Sequence, residues 1–360
     1  WKPSGLTETS PGGVVLSQRS VLFGLEGVQR LRVAQAAKGY IRHEFQMIFC
    51  IDKPAAFEYD SHTAFQTEAT MRDLTNEILE LIRRTSSDLP ADVENRLKAA
   101  IEKEAPGSAA RGAMEAVLKN VALSRKNSSP ICQDTGTPIF YVRYPAGWST
   151  LQLKKQVRAA LAEATKKAYM RPNAVDAIYD KNSGNNLGGD DFPSIHFEEV
   201  EGDELTIELM LKGGGCENVG AQYSLPDNRL GAGRDLAGVR KVVLDAVHRA
   251  QGQGCAPGIL GVAIGGDRGT GYVKSKEVLF DRLGTRNPDA KLAELEERLT
   301  DEANQLGIGP MGFGGQTTVI DTKITGLHRL PASYFVTVSY MCWAYRRRKM
   351  TVKGDEVVYD

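Results

Sequence analysis

The sequence predicts an α+β fold in which a helical layer packs on mixed β-sheet, with glycine-rich loops between the packed elements. Three observations support this class. Apolar residues recur at helical spacing from residue 71 to 124, strand-like and helical segments alternate from residue 138 onward, and many of the 37 glycines lie in two dense runs, 252–271 and 307–315.

The helical layer comes first along the chain. In the segment MRDLTNEILELIRRT, the residues Leu74, Ile78, Leu81 and Ile82 follow the i, i+4, i+7, i+8 spacing of one helix face. The same kind of pattern predicts further helices at 93–101, 111–124, 151–169, 236–250 and 290–306. Strands are expected at 138–144, 194–199, 205–211, 259–264, 317–324 and 335–341.

Charge and hydrophobic pattern exclude several functional classes. The 360 residues include 45 basic and 45 acidic side chains, so the net charge is zero, and the basic surface of a nucleic-acid or anionic-membrane binder is not expected. No apolar run approaches the roughly 18 to 20 residues that span a bilayer. The first residues also lack the pattern of a signal peptide. We therefore expect a cytoplasmic protein that binds neither membranes nor nucleic acid.

The five cysteines contain no C-x-x-C pair, which argues against a disulfide framework and against structural zinc. Cys50 has an apolar neighbourhood and is expected to be structural. Cys132, Cys216, Cys255 and Cys342 lie beside glycines or at the end of a strand, where ligation and simple packing are both open. Distant cysteines can hold an iron–sulfur cluster, and three thiolates leave one iron open to act as a Lewis acid.

Polar residues near Cys132 add two candidate roles, each with a structural alternative. Asp134 is placed to bind a reacting hydroxyl or exchange a proton with it, or else it caps the turn 134–137. Arg171 is placed to hold a substrate carboxylate through its bidentate fork, or else it is a solvated arginine after a helix. Local signals do not choose between these readings.

The glycine runs resemble phosphate-binding loops only in spacing. Residues 266–271 and 309–314 both have the G-x-x-x-x-G spacing, but neither continues with Lys and Ser or Thr, so both fail the Walker pattern. The segments KGGGCEN and GPMGFGG instead offer backbone N–H groups to carboxylates, because glycine lets the chain approach an anion closely.

Five motifs occur in a fixed order: PICQDTGTPIFYV, KGGGCEN, CAPGILGVAIGGDRGTGYVKSKE, GIGPMGFGGQTT and MCWAYRRR. Together they resemble the N-terminal domain of class I, iron–sulfur-dependent fumarate hydratases, which is a separate alpha subunit in two-chain members. The alpha subunit of L(+)-tartrate dehydratase shares the pattern. The resemblance covers roughly residues 71–349.

The resemblance implies a [4Fe-4S] cluster with three protein ligands, Cys132, Cys255 and Cys342. Cys216 falls beside the site, at a position where many relatives carry serine. The resemblance also implies that Asp134 is the catalytic acid. The implied substrate contacts are Gln133, Arg171 and the backbone of Gly214. One departure is Leu330, which stands where relatives often have a histidine. His328 lies two residues earlier, and either a substrate contact or simple packing is open for it.

The implied organisation is an extension at 1–65 and a cluster-binding domain at 66–360, without the C-terminal, beta-type half that completes the family's active site. The implied reaction is the reversible hydration of fumarate to L-malate, with the cluster as Lewis acid and the C-terminal half or a beta subunit as partner in an oligomer. The alternatives are the alpha subunit of L(+)-tartrate dehydratase and a non-catalytic iron–sulfur module.

Overall fold

This computed structural model describes residues 71–360, so Cys50 and the expected extension 1–65 lie outside the described residues. The α-helices are α1 (Thr75–Ser87), α2 (Ala91–Ile101), α3 (Ala109–Asn127), α4 (Thr150–Lys166), α5 (Gly214–Asn218), α6 (Leu236–Ala250), α7 (Arg268–Glu277) and α8 (Ala290–Gln305). The strands are β1 (Thr137–Pro145), β2 (Val175–Asp176), β3 (Lys181–Asn182), β4 (Ser194–Val200), β5 (Glu204–Lys212), β6 (Ala221–Ser224), β7 (Gly258–Ile264), β8 (Val319–Gly326), β9 (Phe335–Met341), β10 (Arg347–Lys353) and β11 (Glu356–Tyr359).

The larger sheet has five strands in the order β11-β10-β5-β1-β4. It is mixed, because β1 pairs in parallel with β4 and antiparallel with β5. Helices α1 and α4 pack together, and α1 also contacts β5 and β10. Leu74, Ile78, Leu81 and Ile82 are fully buried in the core between these helices and the sheet. Their burial confirms the helix face that their spacing predicts.

The smaller sheet has four strands in the order β6-β9-β7-β8, and β7 is buried at every position. β7 pairs in parallel with β8 and antiparallel with β9, so this sheet is also mixed. Helix α7 packs on β7 and β9, and α8 packs on β8. The fold is therefore a mixed α and β architecture with helices on mixed sheets, as the sequence predicts.

Local side-chain chemistry explains where most helices begin. Ser108, Ser149, Asp235, Asp267 and Asp289 each accept a backbone N–H from the first turn of the helix that follows. Such N-caps satisfy donors that have no partner inside the helix. The predicted helix bounds are accordingly close to those observed, and the helix expected at 236–250 spans that range.

Several segments differ from the sequence prediction, which contained no helix at α5 and no strands at β2, β3, β6, β10 and β11. The glycine run at 266–271 was expected to be a loop, but its second half forms the first turn of α7, because Asp267 caps Gly269 and Thr270. The strand expected at 317–324 begins only at Val319. The backbone N–H groups of its first two residues bind side chains, that of Thr317 to the carboxylate of Glu104 and that of Thr318 to the amide oxygen of Asn304. Among residues 71–360, no helix is both long and apolar enough to cross a membrane.

Candidate functional site

Strand pairing in the larger sheet brings the CQDTG loop beside the triple-glycine loop. β1 and β5 are antiparallel, and Thr137 at the start of β1 pairs with Lys212 at the end of β5. The residues just before β1 and just after β5 must therefore meet at one edge of the sheet. These residues are Cys132 to Gly136 on one side and Gly213 to Cys216 on the other.

Strand pairing in the smaller sheet does the same for two further cysteines. β7 and β9 are antiparallel, and Ile259 near the start of β7 pairs with Met341 at the end of β9. Cys255 lies shortly before β7, and Cys342 directly follows β9. The backbone N–H of Trp343 donates to the carbonyl oxygen of Cys255 at 3.3 Å, which joins the two segments.

The short connection from β9 to β10 links the two sheet edges. It contains Cys342 and ends at Arg346, whose carbonyl oxygen accepts the N–H of Leu211 in β5 at 3.0 Å. The Arg346 guanidinium is buried and donates through Nη1 to the carbonyl oxygen of Asp134 at 2.8 Å. Cys342 is thus carried to the edge where the CQDTG loop lies.

The carboxylate of Asp134 joins two backbone segments. Its Oδ1 accepts the N–H of Gly136 at 3.1 Å, which is the turn cap that the sequence allows. Its Oδ2 accepts the N–H of Gly214 at 2.7 Å, which ties the carboxylate to the triple-glycine loop. Asp134 is half-buried, so the carboxylate remains open to solvent on one side. Asp134 therefore caps the turn and also lies at the candidate site.

Arg171 lies beside the same loop. Its Nη1 donates to the carbonyl oxygen of Gln133 at 3.1 Å, and its backbone N–H donates to the hydroxyl of buried Thr135 at 3.2 Å. Both Arg171 and Gln133 are exposed. The guanidinium is therefore held at the site but faces solvent, where a soluble carboxylate can reach it.

Cys255 has an unusual backbone conformation for a residue with a side chain. Its φ of 54° and ψ of 59° lie in the left-handed region, which costs free energy for residues other than glycine and is concentrated at functional sites. Burial raises the pKa of the Cys255 thiol, and the charges of Cys132, Cys216 and Asp134 raise it further. Cys132, Cys216 and Asp134 are thus close enough to Cys255 to disfavour its thiolate.

Cys342 and Cys216 form a second, deeper pair of thiols, both buried. A hydrogen bond between them raises the pKa of Cys342 and lowers that of Cys216. Lys212 contributes to the lowering, because its Nζ lies 3.8 Å from the Cys216 sulfur. The Cys216 sulfur also lies 3.1 Å from the carbonyl oxygen of Gly213, so this thiol packs against the triple-glycine loop.

Sequence reasoning missed two buried cations behind these thiols. Lys212 is 1% exposed, donates to the carbonyl oxygen of Tyr340 at 2.8 Å and forms a 2.8 Å ion pair with Glu217. Arg346 is also 1% exposed, and its Nε has no hydrogen-bond partner among the described residues. Both lie inside quoted motifs, since Lys212 begins KGGGCEN and Arg346 belongs to MCWAYRRR. The presence of basic residues within these motifs was the sequence signal that could have identified both cations.

Sequence reasoning also missed Glu104, which anchors the GPMGFGG loop. This carboxylate is 3% exposed and accepts the N–H of Gln316 with both oxygens and that of Thr317 at 2.9 Å. The loop in turn reaches the Cys255 segment, because the N–H of Met311 donates to the carbonyl oxygen of Ala256 at 2.8 Å. No signal in the sequence pointed to Glu104, since its partners are more than 200 positions away.

The remaining candidate is the loop between β8 and β9. His328 is exposed there, and Leu330, at the position of the family histidine, is 74% exposed. The backbone carbonyl of His328 accepts the N–H of Gly266 at 3.0 Å. The packing role considered for His328 is wrong, because its side chain lies at the surface.

The arrangement favours some kinds of chemistry over others. Among residues 71–360, no three His, Cys, Asp or Glu side chains converge closely enough to hold a single metal ion. Three loops instead present separate thiols beside one carboxylate and one exposed guanidinium, with buried cations behind them. We call the group formed by Cys132, Asp134, Arg171, Cys255 and Cys342 the rim of the candidate site. This rim suits an anionic, polynuclear group and a carboxylate-bearing ligand.

Comparison with known proteins identifies one matching family and several relatives. The fumarate hydratase (fumerase) family profile matches residues 75–351. A Geobacillus stearothermophilus protein that bears the name class I fumarate hydratase is 47% identical over 280 residues, which are 77% of this chain and 54% of that protein. A Methanocaldococcus jannaschii protein named as an L(+)-tartrate dehydratase subunit alpha is 31% identical over 288 residues, 78% of this chain and 98% of that protein.

A third relative is the L(+)-tartrate dehydratase subunit alpha of Escherichia coli strain UTI89, which is 31% identical over 295 residues, 80% of this chain and 95% of that protein. The chain thus spans about half the length of the Geobacillus relative and nearly the whole of the two alpha subunits. The family profile covers most of the described residues and all four of the cysteines within them. The chain therefore belongs to the fumarate hydratase (fumerase) family.

Proposed function

We propose that this chain is the cluster-binding part of a hydro-lyase that reversibly hydrates fumarate to L-malate. One observation supports this proposal most strongly. The Asp134 carboxylate is held 2.7 Å from the Gly214 nitrogen on the same rim as Arg171 and the thiols of Cys132 and Cys255. A proton-exchanging acid, a carboxylate-binding arginine and soft metal ligands are the groups that such a reaction requires.

The donor set fits a [4Fe-4S] cluster held by Cys132, Cys255 and Cys342. Three irons of such a cluster would each take one of these thiolates, so the ligands need not meet at one point. Burial raises the pKa of Cys255 and the nearby acidic groups raise it further, so a thiolate there needs a cation. A bound metal group would supply that charge and would also explain the left-handed backbone of Cys255. When bound, the cluster supplies an iron without a protein ligand, which is a Lewis acid.

The side chains of this chain have separate tasks in the proposal. Arg171 has one N–H on the Gln133 carbonyl and offers the rest of its guanidinium fork to a substrate carboxylate. The backbone of the Gly214 loop holds substrate close to the Asp134 carboxylate, and Gln133 orients it. Asp134 binds the reacting hydroxyl or exchanges its proton, and two backbone N–H donors fix the direction of its oxygens. Lys212 and Arg346 offset the negative charge of the thiolates from behind.

The proposal includes a partner polypeptide. The Geobacillus relative is matched over 54% of its length, so 46% of it has no counterpart in the matched segment, whereas the alpha-subunit relatives are matched almost completely. We infer that a C-terminal half or a beta-type subunit completes the site in an oligomeric assembly. This partner would supply the further carboxylate-binding groups that a dicarboxylate needs.

The test is anaerobic reconstitution of the chain with iron and sulfide, followed by addition of the partner half and assay of fumarate hydration. For a partner we would use a polypeptide that corresponds to the unmatched part of the Geobacillus relative. We expect iron and sulfide to bind to the chain alone, and turnover to require both polypeptides. A chain that binds neither iron nor sulfide contradicts the proposal, and so does a loaded complex that hydrates no substrate.

L(+)-tartrate dehydration is the second candidate, and the near-complete match to two alpha subunits favours it. Fumarate is preferred because the identity to the class I fumarate hydratase relative is higher, 47% against 31%. L-malate, the hydrated form of fumarate, has one hydroxyl fewer than L(+)-tartrate, and a site that hydrogen-bonds a hydroxyl rejects an analogue without it. Parallel assays of fumarate and L(+)-tartrate with the same complex separate the two candidates. Cluster loading without turnover of either would favour a non-catalytic module.

A further inference from the structure

A small β-hairpin projects from the rim of the site and exposes large apolar side chains. Strands β2 and β3 pair between Arg171 and Asn186, with Val175 opposite Asn182. Ile178 and Tyr179 form the tip and are 84% and 80% exposed, and Val175 is 49% exposed. Three of the large exposed apolar side chains among the described residues thus lie within five positions of one another.

The tip is held in this conformation by its own hydrogen bonds. Asp176 Oδ1 accepts the N–H of Ile178 at 2.8 Å and that of Tyr179 at 2.9 Å. The carbonyl oxygen of Asp176 accepts the N–H of Asp180 at 2.9 Å, and Asp180 has a φ of 51°. The apolar side chains are therefore presented by a defined turn, which reduces the entropy that a binding partner would have to remove.

The base of the hairpin is attached to the candidate site. Asn186 is fully buried, accepts the N–H of Asn173 at 2.7 Å, and donates to the carbonyl oxygen of Arg171 at 2.7 Å. The Asn173 amide donates to the hydroxyl of Thr135, next to Asp134, at 2.7 Å. The position of the hairpin is therefore fixed relative to Arg171 and Asp134. The exposed Arg171 thus lies at the base of the hairpin.

We propose that hairpin 174–183 is the docking element for the C-terminal half or beta-type subunit, with Ile178 and Tyr179 buried in the interface. This inference rests on the proposed function and identifies where the partner binds. Two observations select this occupant. The hairpin is tied to the candidate site at Arg171, and 46% of the Geobacillus relative lies outside the matched segment, 100% minus 54%. Exposed aromatic and aliphatic side chains on a rigid turn are typical anchors of interfaces.

The experiment measures binding between the full chain and a polypeptide that corresponds to the unmatched part of the Geobacillus relative. The test variants are Ile178→Gln and Tyr179→Gln, singly and together. Asp176→Ala is a further variant that keeps both apolar side chains but removes the carboxylate that orders the tip. The control is Leu123→Gln, which removes an apolar side chain that is 58% exposed on α3, outside the hairpin.

We expect the double variant to weaken binding at least about ten-fold, which corresponds to about 1.4 kcal/mol. We expect Asp176→Ala to weaken it by a smaller factor and Leu123→Gln to leave it unchanged. Cluster content and the thermal midpoint of the isolated chain should be equal in all variants, because these side chains contact solvent.

Other outcomes are decisive in different ways. Equal binding by the double variant overturns the inference and leaves the proposed function intact. Suppose that the double variant binds the polypeptide more weakly, while the wild-type complex hydrates neither fumarate nor L(+)-tartrate. This pair of results supports the docking site and contradicts the proposed function. Failure of the unaltered chain to bind the polypeptide overturns the inference. A dimer of this chain that only the hairpin variants dissociate also overturns it, because the hairpin then binds a second copy of the chain.

Discussion

Asp134 Oδ2 lies 2.7 Å from the backbone nitrogen of Gly214 and accepts its N–H, which joins the loop before β1 to the loop after β5. The neighbouring Gly213 explains why the carboxylate can approach so closely. A Cβ at Gly213 would lie 2.9 Å from the same Oδ2, closer than a carbon and an oxygen normally pack. The position of the candidate acid therefore depends on the absence of one methyl group.

We expect Gly213→Ala to displace the Asp134 carboxylate and lower hydration activity in the reconstituted complex by about ten- to a hundred-fold, because misplaced acid–base groups lose most of their effect. Folding should change little, since Gly213 has a φ of −64° that alanine also adopts. The measurement is steady-state hydration with a thermal melt. Gly215→Ala is the control, because its Cβ would lie 3.7 Å from the nearest atom, the carbonyl oxygen of Gln253. Equal activity of the two variants would show that the Asp134 position is unimportant.

The four described cysteines should separate into two groups on replacement by serine. Cys132→Ser, Cys255→Ser and Cys342→Ser should each reduce iron and sulfide binding strongly after anaerobic reconstitution, because a hydroxyl is a poor substitute for a soft thiolate ligand. Cys216→Ser should keep most of the bound iron, since this residue is assigned a place beside the cluster. Iron and sulfide analysis with visible absorption measures both. Loss of the cluster in Cys216→Ser alone would reverse the assignment.

Glu104 should act on Cys255 through the GPMGFGG loop. In Glu104→Gln, the amide group replaces a carboxylate that receives three backbone hydrogen bonds, so we expect the free energy of unfolding to fall by about 1–3 kcal/mol. Loosening of the loop should also expose Cys255 to alkylation in the cluster-free chain, more than Cys132 or Cys342.

Thiol alkylation followed by peptide mass spectrometry measures the second effect. Glu102→Gln is the matched control, because its side chain is 74% exposed two positions earlier. An equal increase in the alkylation rate of all three cysteines would indicate that the substitution destabilises the whole chain and does not act specifically on Cys255.

Acid stability should depend partly on Glu80. Paired hydrogen bonds from Arg83, together with Arg84, lower the pKa of Glu80 from its ordinary 4.5 to about 2. The folded state therefore prefers the ionised form. This contribution is complete above pH 4.5, decreases as pH falls below that value, and is lost as pH falls through about 2.

Because Glu80 is partly solvent-exposed, solvent screening reduces its contribution to about 1 kcal/mol. Glu80→Gln should lower the free energy of unfolding by that amount at neutral pH and by progressively less as pH falls from 4.5 toward 2. Urea unfolding across this pH range checks the prediction. A difference between variant and wild type that is constant with pH would contradict it.

Much of the secondary structure could be predicted from local pattern alone. The spacing of Leu74, Ile78, Leu81 and Ile82 defines a helix face whichever sheet it meets, and the structure buries that face. The motifs around Cys132, Cys255 and Cys342 also identify the family from the sequence alone. Both signals are local, because side-chain periodicity and short motifs act within one element.

The start of β8 and the role of Glu104 could not be predicted in this way. Thr317 has strand-like neighbours, but its N–H group binds a carboxylate some 200 positions earlier, and the strand begins at Val319. Asp134 shows the same limit, because the sequence left a turn cap and an acid as alternatives. The structure contains both contacts, one from each carboxylate oxygen.

The sequence by itself determined most of the longer elements, the family and the residue types available for chemistry. The tertiary structure decided which of these residues meet, because the pairing of β1 with β5 and of β7 with β9 sets which loops share an edge. It also placed Lys212 and Arg346, whose buried charges lie behind the thiols. Such placement depends on long-range strand register, and no local pattern of side chains encodes register between residues more than 60 positions apart.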